Sequence, residues 1–245
     1  MPADIAQHCL EIDRCNQRGG RMLSIGDLLD AGTVTIDVAA YALAAIWKGA
    51  SFMTGALPGG AGKTTVMGAL LNFVPPDVEL AAADGVAAIA GGMKIIDRRR
   101  CYICHEISDG GYYAYLWGAE LRAFFQLKRA GHILATNLHA DTFEQARAQV
   151  CVENGVTPED FRGMNLIFFI SVVRGRGSTT RTVREIWESD GSMPHRQVFS
   201  PDNPVPQKLS RLVTVAEQEA AAKRIGELAA GGARTIEQVR GSLLR

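Results

Sequence analysis

A surplus of charge of either sign is the first thing missing: 26 Lys and Arg stand against 26 Asp and Glu in 245 residues, and the net charge is zero. Proteins that hold nucleic acid or an anionic membrane through their overall field need an excess of cations. That class is excluded, and no direct nucleic-acid partner is expected. Long apolar runs are missing too. The longest, Val38–Trp47, is mostly alanine and falls short of the roughly 18 residues that a spanning helix requires. No transmembrane segment is expected. Met1–Cys15 carries acids where a secretory leader has a basic and then an apolar stretch, which predicts a cytoplasmic protein. Cysteine is scarce. The chain has five, an odd number scattered along its length, so no disulfide framework is expected.

What remains is ordinary globular composition, 47% hydrophobic and 21% charged. The length suits one large domain with short appendages, able to bury a core without staples. Ser24 and Thr35 open helices as N-caps, the second running through an Ala-rich stretch to about Lys48 and closing at Gly49. Strands are predicted near Ala50–Thr54, Val78–Ala83, Cys101–Cys104 and Ile133–Leu138, with helices near Lys63–Phe73, in the second half of Tyr112–Ala130, and at Thr142–Val152. Leu166–Val173 and Arg181–Ser189 read as a hairpin. Leu209–Leu244 reads as helical, interrupted near Gly231-Gly232. Strands alternating with helices predict an α/β fold with a mainly parallel central sheet.

The 26 glycines cluster, and one cluster carries chemistry: Pro58-Gly59-Gly60-Ala61-Gly62-Lys63-Thr64-Thr65, placed between a strand and a helix. Small residues let backbone N–H groups curl around phosphate oxygens, a Lys reaches the β/γ-phosphates, and a Ser/Thr hydroxyl binds Mg²⁺. The helix N-terminus adds a favourable dipole. The first glycine of the G-x-x-x-x-G-K-[ST] pattern is replaced by Leu57. Residues 59–65 are thus the expected ATP-binding loop, with Thr64 on Mg²⁺.

A second signal is Cys101-Tyr-Ile-Cys104-His105-Glu106, an apolar strand ending in an acid. A P-loop enzyme uses an acid there to hold Mg²⁺, partly through water, or to polarise the attacking water. The same letters spell a haem-attachment C-x-x-C-H, which is rejected. The chain shows no export signal, and a separation of three puts the cysteines on opposite faces of a strand. The third signal is Gly131-His132-Ile-Leu-Ala-Thr136-Asn-Leu-His139-Ala-Asp141. Its histidines flank a strand and could orient water or sense a γ-phosphate. No third ligand supports a metal on the pair.

The order of P-loop, strand with Glu, and G-H-x-x-x-T-x-x-H-A resembles the type II/type IV secretion ATPases, in particular the motors of the archaellum and tight-adherence pilus branch. The resemblance spans roughly residues 23–200 and implies a RecA-like P-loop fold in the form of that family's C-terminal ATPase domain. It divides the chain into a short N-terminal extension (1–22), a P-loop ATPase core (23–204) and a C-terminal helical region (205–245). By position it assigns Lys63 to the β/γ-phosphate, Thr64 to Mg²⁺, Glu106 to the Walker B acid, and His132 and His139 to the His-box pair. It also implies slow ATP hydrolysis coupled to assembly or export, or alternatively a catalytically weak nucleotide-binding subunit docked on a full-length motor ATPase. A membrane platform protein is an implied partner, and a peripheral place at the inner membrane face an implied location.

The chain departs from the family at the Asp box, where Ala83-Asp84 replaces Glu-Asp, and at Ser108, where Arg is usual. Asp109–Trp117 reads as an insertion, and its aromatic run Tyr112–Trp117 is either a contact surface or a helix packed into the chain's own core. Family members place an arginine-donating domain before the P-loop, for which residues 1–22 are too few. The expectation is therefore a monomer or weak homo-oligomer alone, with any ring completed by a partner chain. Arg98-Arg99-Arg100 is a candidate substitute for the missing arginines, though a solvated basic turn is favoured.

Overall fold

The computed structural model describes residues 5–16, 19–95, 97–175 and 178–245. Three helices open the chain: α1 (Ile5–Arg14), α2 (Ile25–Asp30) and α3 (Ile36–Trp47). The Ser24 hydroxyl accepts from the Asp27 N–H while the Asp27 side chain returns to the Ser24 N–H, a complete capping box. The Thr35 side chain caps α3 by accepting from the Val38 N–H, with no return bond. Nearly all of α3 is buried, including Tyr41. A helix that is apolar all round must be enclosed on every side, and α3 lies against α9 (Val215–Ala230) and the core of the sheet.

Then come β1 (Phe52–Gly55), α4 (Lys63–Leu71), β2 (Glu79–Ala82), α5 (Gly85–Gly92) and β3 (Arg100–Ile107). They are followed by β4 (Tyr115–Leu116), α6 (Gly118–Gln126), β5 (Ile133–Leu138), α7 (Phe143–Arg147) and α8 (Pro158–Arg162). The chain closes with β6 (Leu166–Arg174), β7 (Thr179–Glu188), β8 (Arg196–Phe199), α9 and α10 (Ile236–Leu243). The expected helix over Thr142–Val152 is α7 followed by a π-turn, Ala148–Glu153. Helices α5 and α8 and the strands β4 and β8 are additional to the elements predicted.

The sheet runs β2-β3-β5-β1-β6-β7-β8, with β4 against the end of β3. Strands β2 to β6 along this path, and β4, pair in parallel, while β7 and β8 are antiparallel. This is the mixed α/β fold with a mainly parallel sheet that the alternation predicts. Successive residues face opposite layers: Phe52, Cys101 and Ile103 meet α1–α4, α9 and α10, whereas Met53, Tyr102 and Cys104 meet α5–α8. A sheet covered on both faces has no solvent face, hence its near-continuous apolar strands.

Neither terminal segment has a core of its own. Cys9 and Ile12 of α1, Cys15 just after it, and Ile225, Leu228, Val239 and Leu243 of α9 and α10 belong to the same apolar cluster as α3 and α4. Both segments also tie down the rear of α4. An α-helix leaves its last carbonyls unbonded. Here the Leu71 carbonyl meets His8 Nε2 at 3.1 Å, and the fully buried Arg240 guanidinium donates to the carbonyls of Asn72 (2.8 Å) and Val74 (2.5 Å).

Candidate functional site

Open parallel sheets bind ligands outside the carboxyl ends of their strands, and the sequence signals meet there. The loop after β1 carries residues 56–62. Gly60 (φ +79°) and Gly62 (φ +93°) both occupy the left-handed region, where a side chain costs energy, and Gly62 is the residue that turns into α4. No side chain caps α4. Its first N–H groups therefore stay available to an anion, unlike those of α2 and α3, which Ser24 and Thr35 satisfy. Leu57 does not need glycine's freedom: Ala114 is the one non-glycine with positive φ among the described residues. The Leu57 N–H donates to the Asp141 carboxylate at 2.6 Å, which binds the start of the loop to the segment after β5.

Glu106 reaches the loop by way of a bulge. Cys104 pairs with Thr136 and Ile107 with Leu138, so β3 spends one residue more than β5 between these pairs. Cys104 and Ile107 consequently face the same layer, and Glu106 Oε2 stands 3.6 Å from Lys63 Nζ. Burial pushes the Glu106 carboxyl above the usual carboxylate range, opposed by the charges of Lys63 and His139. Its Oε1 is buried without a hydrogen bond.

His139 follows β5 directly. Its Nδ1 lies 3.2 Å from Lys63 Nζ and its Nε2 3.9 Å from Glu106 Oε2. Lys63 also donates to the Ala56 carbonyl at 3.3 Å. Behind these groups the three strand ends are stitched together. The Thr54 hydroxyl on β1 lies against Asn137 Oδ1 on β5, and Asn137 Nδ2 donates to the His105 carbonyl on β3 at 2.8 Å.

The loop borders a cavity of about 680 Å³. Gly59, Gly60, Ala61, Gly62, Lys63, Thr64, Thr65, Glu106 and His139 all line it, and so do Arg21, Tyr115 and Arg181. Glu106 is the single carboxylate on that wall among the described residues. Asp84, the remnant of the Asp box, is exposed at the N-cap of α5 and is not on it.

The two histidines of the predicted pair part company. His132 is wholly buried at the opposite end of β5, where Nδ1 accepts from the Arg100 N–H (3.1 Å) and Nε2 meets the Gly92 carbonyl (3.0 Å). With both ring nitrogens bonded to backbone and a six-residue strand between it and His139, it cannot join Lys63 and Glu106, and the pairing of the two rings in one site is corrected. Arg98 and Arg100 pair with Glu79, and Arg99 with Asp77, also at the far end of β3. They form an ion-paired surface cluster and do not line this cavity. Cys101 and Cys104 are buried on opposite faces, and burial pushes the Cys104 thiol up to about 12. No group of three or more His, Cys, Asp or Glu able to hold a metal occurs among the described residues. In the aromatic segment, Ala114 and Leu116 are buried while Tyr112 and Tyr113 are exposed. No helix among the described residues is long and apolar enough to cross a membrane.

Arg181 is the cavity residue that motif reading missed. It lies on β7, 121 residues from Gly60, and its Nε donates to the Gly60 carbonyl at 3.0 Å. No local pattern marks it, because only the hairpin's fold brings it to the loop.

No protein-family model and no curated protein matches the chain. Among solved structures, it is similar to the VirB11 ATPase from the Brucella suis type IV secretion system in complex with sulphate, with 17% identity and a TM-score of 0.47 over 66% of this chain and 54% of that one. It is similar to the ATPase DotB of Yersinia pseudotuberculosis, with 11% identity and a TM-score of 0.45 over 78% and 53%. The Legionella pneumophila ATPase DotB gives 10% and 0.40 over 76% and 54%. The chain spans about half the length of each of these structures.

Proposed function

We propose that the chain binds Mg-ATP on residues 59–65 and hydrolyses it slowly, as a motor-type ATPase domain of the secretion and pilus kind. One observation carries this reading: Lys63, Glu106 and His139 converge within 3.2–3.9 Å of one another beside an uncapped helix N-terminus. In the resting site Glu106 and His139 hold Lys63. An incoming triphosphate replaces them as its partner, and so frees the carboxylate to face water.

The donor set fits magnesium. The wall offers the Thr64 hydroxyl at the start of α4 and one carboxylate with an unbonded buried oxygen (Glu106) among the described residues, and Mg²⁺ habitually takes one or two protein ligands and completes its shell with phosphate and water. When bound, the ion neutralises charge on the phosphates. Glu106 then polarises the attacking water, which its raised proton affinity favours. His139, half exposed at the cavity wall, reads the γ-phosphate.

A second reading keeps binding and gives up most catalysis: a nucleotide-binding subunit that docks on a full-length motor ATPase. That Glu106 is the lone carboxylate of the cavity wall among the described residues favours it, since the Glu of the Asp box is Ala83. In either case the chain works at the cytoplasmic side, as a homo-oligomer or with a motor ATPase, against a membrane platform protein.

The experiment is calorimetry and steady-state turnover on one preparation, alone and with a full-length motor ATPase. Lys63→Ala is expected to weaken Mg-ATP at least tenfold, about 1.4 kcal/mol. Unchanged affinity in that variant removes the proposal. Turnover well below about 10 s⁻¹ is expected of the chain alone.

A further inference from the structure

Among the described residues the cavity wall carries three cations, Arg21, Lys63 and Arg181, and their partners differ. Arg21 is neutralised by Asp27, whose two oxygens accept from its guanidinium at 2.7 and 2.6 Å. Lys63 is matched by Glu106. Arg181 has no carboxylate partner among the described residues. Its one hydrogen bond there runs from Nε to the Gly60 carbonyl, which leaves both terminal nitrogens of the fork unbonded. Its stem lies directly over the loop: a Cβ placed on Gly62 would stand 3.3 Å from Arg181 Cδ.

An unpaired guanidinium held at the mouth of a loop whose N–H groups are uncapped is a second anion donor. Its planar fork matches two oxygens of a phosphate at once, which an ammonium cannot do. We propose that Arg181 contacts the phosphate chain of the bound nucleotide, so that this chain supplies its own arginine to the site from the β6–β7 hairpin. The inference rests on the reading of residues 59–65 as a phosphate loop and adds to it a cation in cis. It also gives Gly60 a second role: its carbonyl positions the fork before the ligand arrives.

The test uses inorganic tripolyphosphate, which has phosphates and no base, beside Mg-ATP. Calorimetry is run on the parent chain and on Arg181→Ala, Arg181→Gln, Arg181→Lys and Lys63→Ala. Arg181 is exposed, so its variants are expected to fold, and circular dichroism checks this. Ala and Gln at 181 are expected to weaken tripolyphosphate at least fivefold, with Lys between them and the parent. Gln retains a donor for the Gly60 carbonyl but has no charge. If it binds tripolyphosphate as the parent does, the residue only holds the loop and the inference is overturned. It is overturned as well if Mg-ATP weakens while tripolyphosphate does not, which would place the contact on ribose or base. Loss of binding in Lys63→Ala, with all three Arg181 variants unaffected, sinks the arginine alone. No loss in Lys63→Ala sinks the phosphate-loop reading itself.

Discussion

Lys63 and His139 lie 76 residues apart in the chain, and the lysine's Nζ meets the imidazole's Nδ1 at 3.2 Å. The same ring nitrogen is 3.3 Å from the Leu57 carbonyl. It cannot accept from the ammonium and donate to the carbonyl at once. The neutral ring with a bare Nδ1 serves Lys63, and a ring protonated there turns to Leu57. His139 and Glu106, the latter at 3.6 Å, are thus two of the side chains that hold the lysine.

Glu106→Gln keeps the shape of the side chain and removes its charge. Turnover is expected to fall by at least about a hundredfold, the usual share of a general base. Mg-ATP binding should stay within about threefold of the parent or tighten, because Lys63 no longer leaves a carboxylate to reach phosphate. Phosphate-release kinetics and calorimetry measure the two separately. Turnover that survives would remove Glu106 as the acid that handles water.

Gly62→Ala tests the turn into α4. At φ +93° an alanine is strained by about 1–2 kcal/mol, and its Cβ would crowd the Arg181 stem at 3.3 Å. Urea unfolding should show a loss of that size, and tripolyphosphate affinity should fall with it. A variant as stable as the parent would mean that the loop can take another path.

How much of this was legible beforehand varies with the range of the signal. Ser24, Thr35 and Gly49 act on neighbours a few residues away, so the first helices could be read at once. The G-K-T-T run shows itself for the same reason, since a phosphate loop is built from consecutive backbone. Helix α5, Gly-Val-Ala-Ala-Ile-Ala-Gly-Gly, has no polar face to give it a period, and β8 is four residues at an edge. The histidines were indistinguishable as letters. Only the direction of β5 decides that His139 meets the loop while His132 is used up on the Arg100 and Gly92 backbone. Arg181 depends on a hairpin folding back over the loop, a relation that no window of sequence contains.

His8 supplies a pH test. Burial, aided by the Arg240 charge, lowers its pKa to about 3 from an ordinary 6.5. The unfolded chain therefore binds a proton that the folded one refuses. The resulting stability is whole above pH 6.5 and drains away as pH falls through 6.5 toward 3, at up to about 1.4 kcal/mol per pH unit. His8→Gln keeps a donor for the Leu71 carbonyl and cannot titrate. Its urea midpoint should fall less than the parent's between pH 7 and pH 4. Parallel pH curves for the two chains would show that His8 charges freely in the fold.

Among the described residues the wall of the cavity is drawn from five separate stretches: Asn16 with residues 19–33, the loop and first turn of α4, the end of β3 with Tyr115, His139, and the hairpin at 179–181. No stretch forms it alone, so an unfolded chain contains no fragment of the site with any affinity worth counting. Whatever fills it is thermodynamically linked to the folding of the entire chain. At a free concentration a hundred times its Kd, a ligand would add about 2.7 kcal/mol to the unfolding free energy. For a chain of this length each kcal/mol raises the melting temperature by about 2–4 °C. A single melting curve would therefore report occupancy of the cavity before any chemistry is assayed.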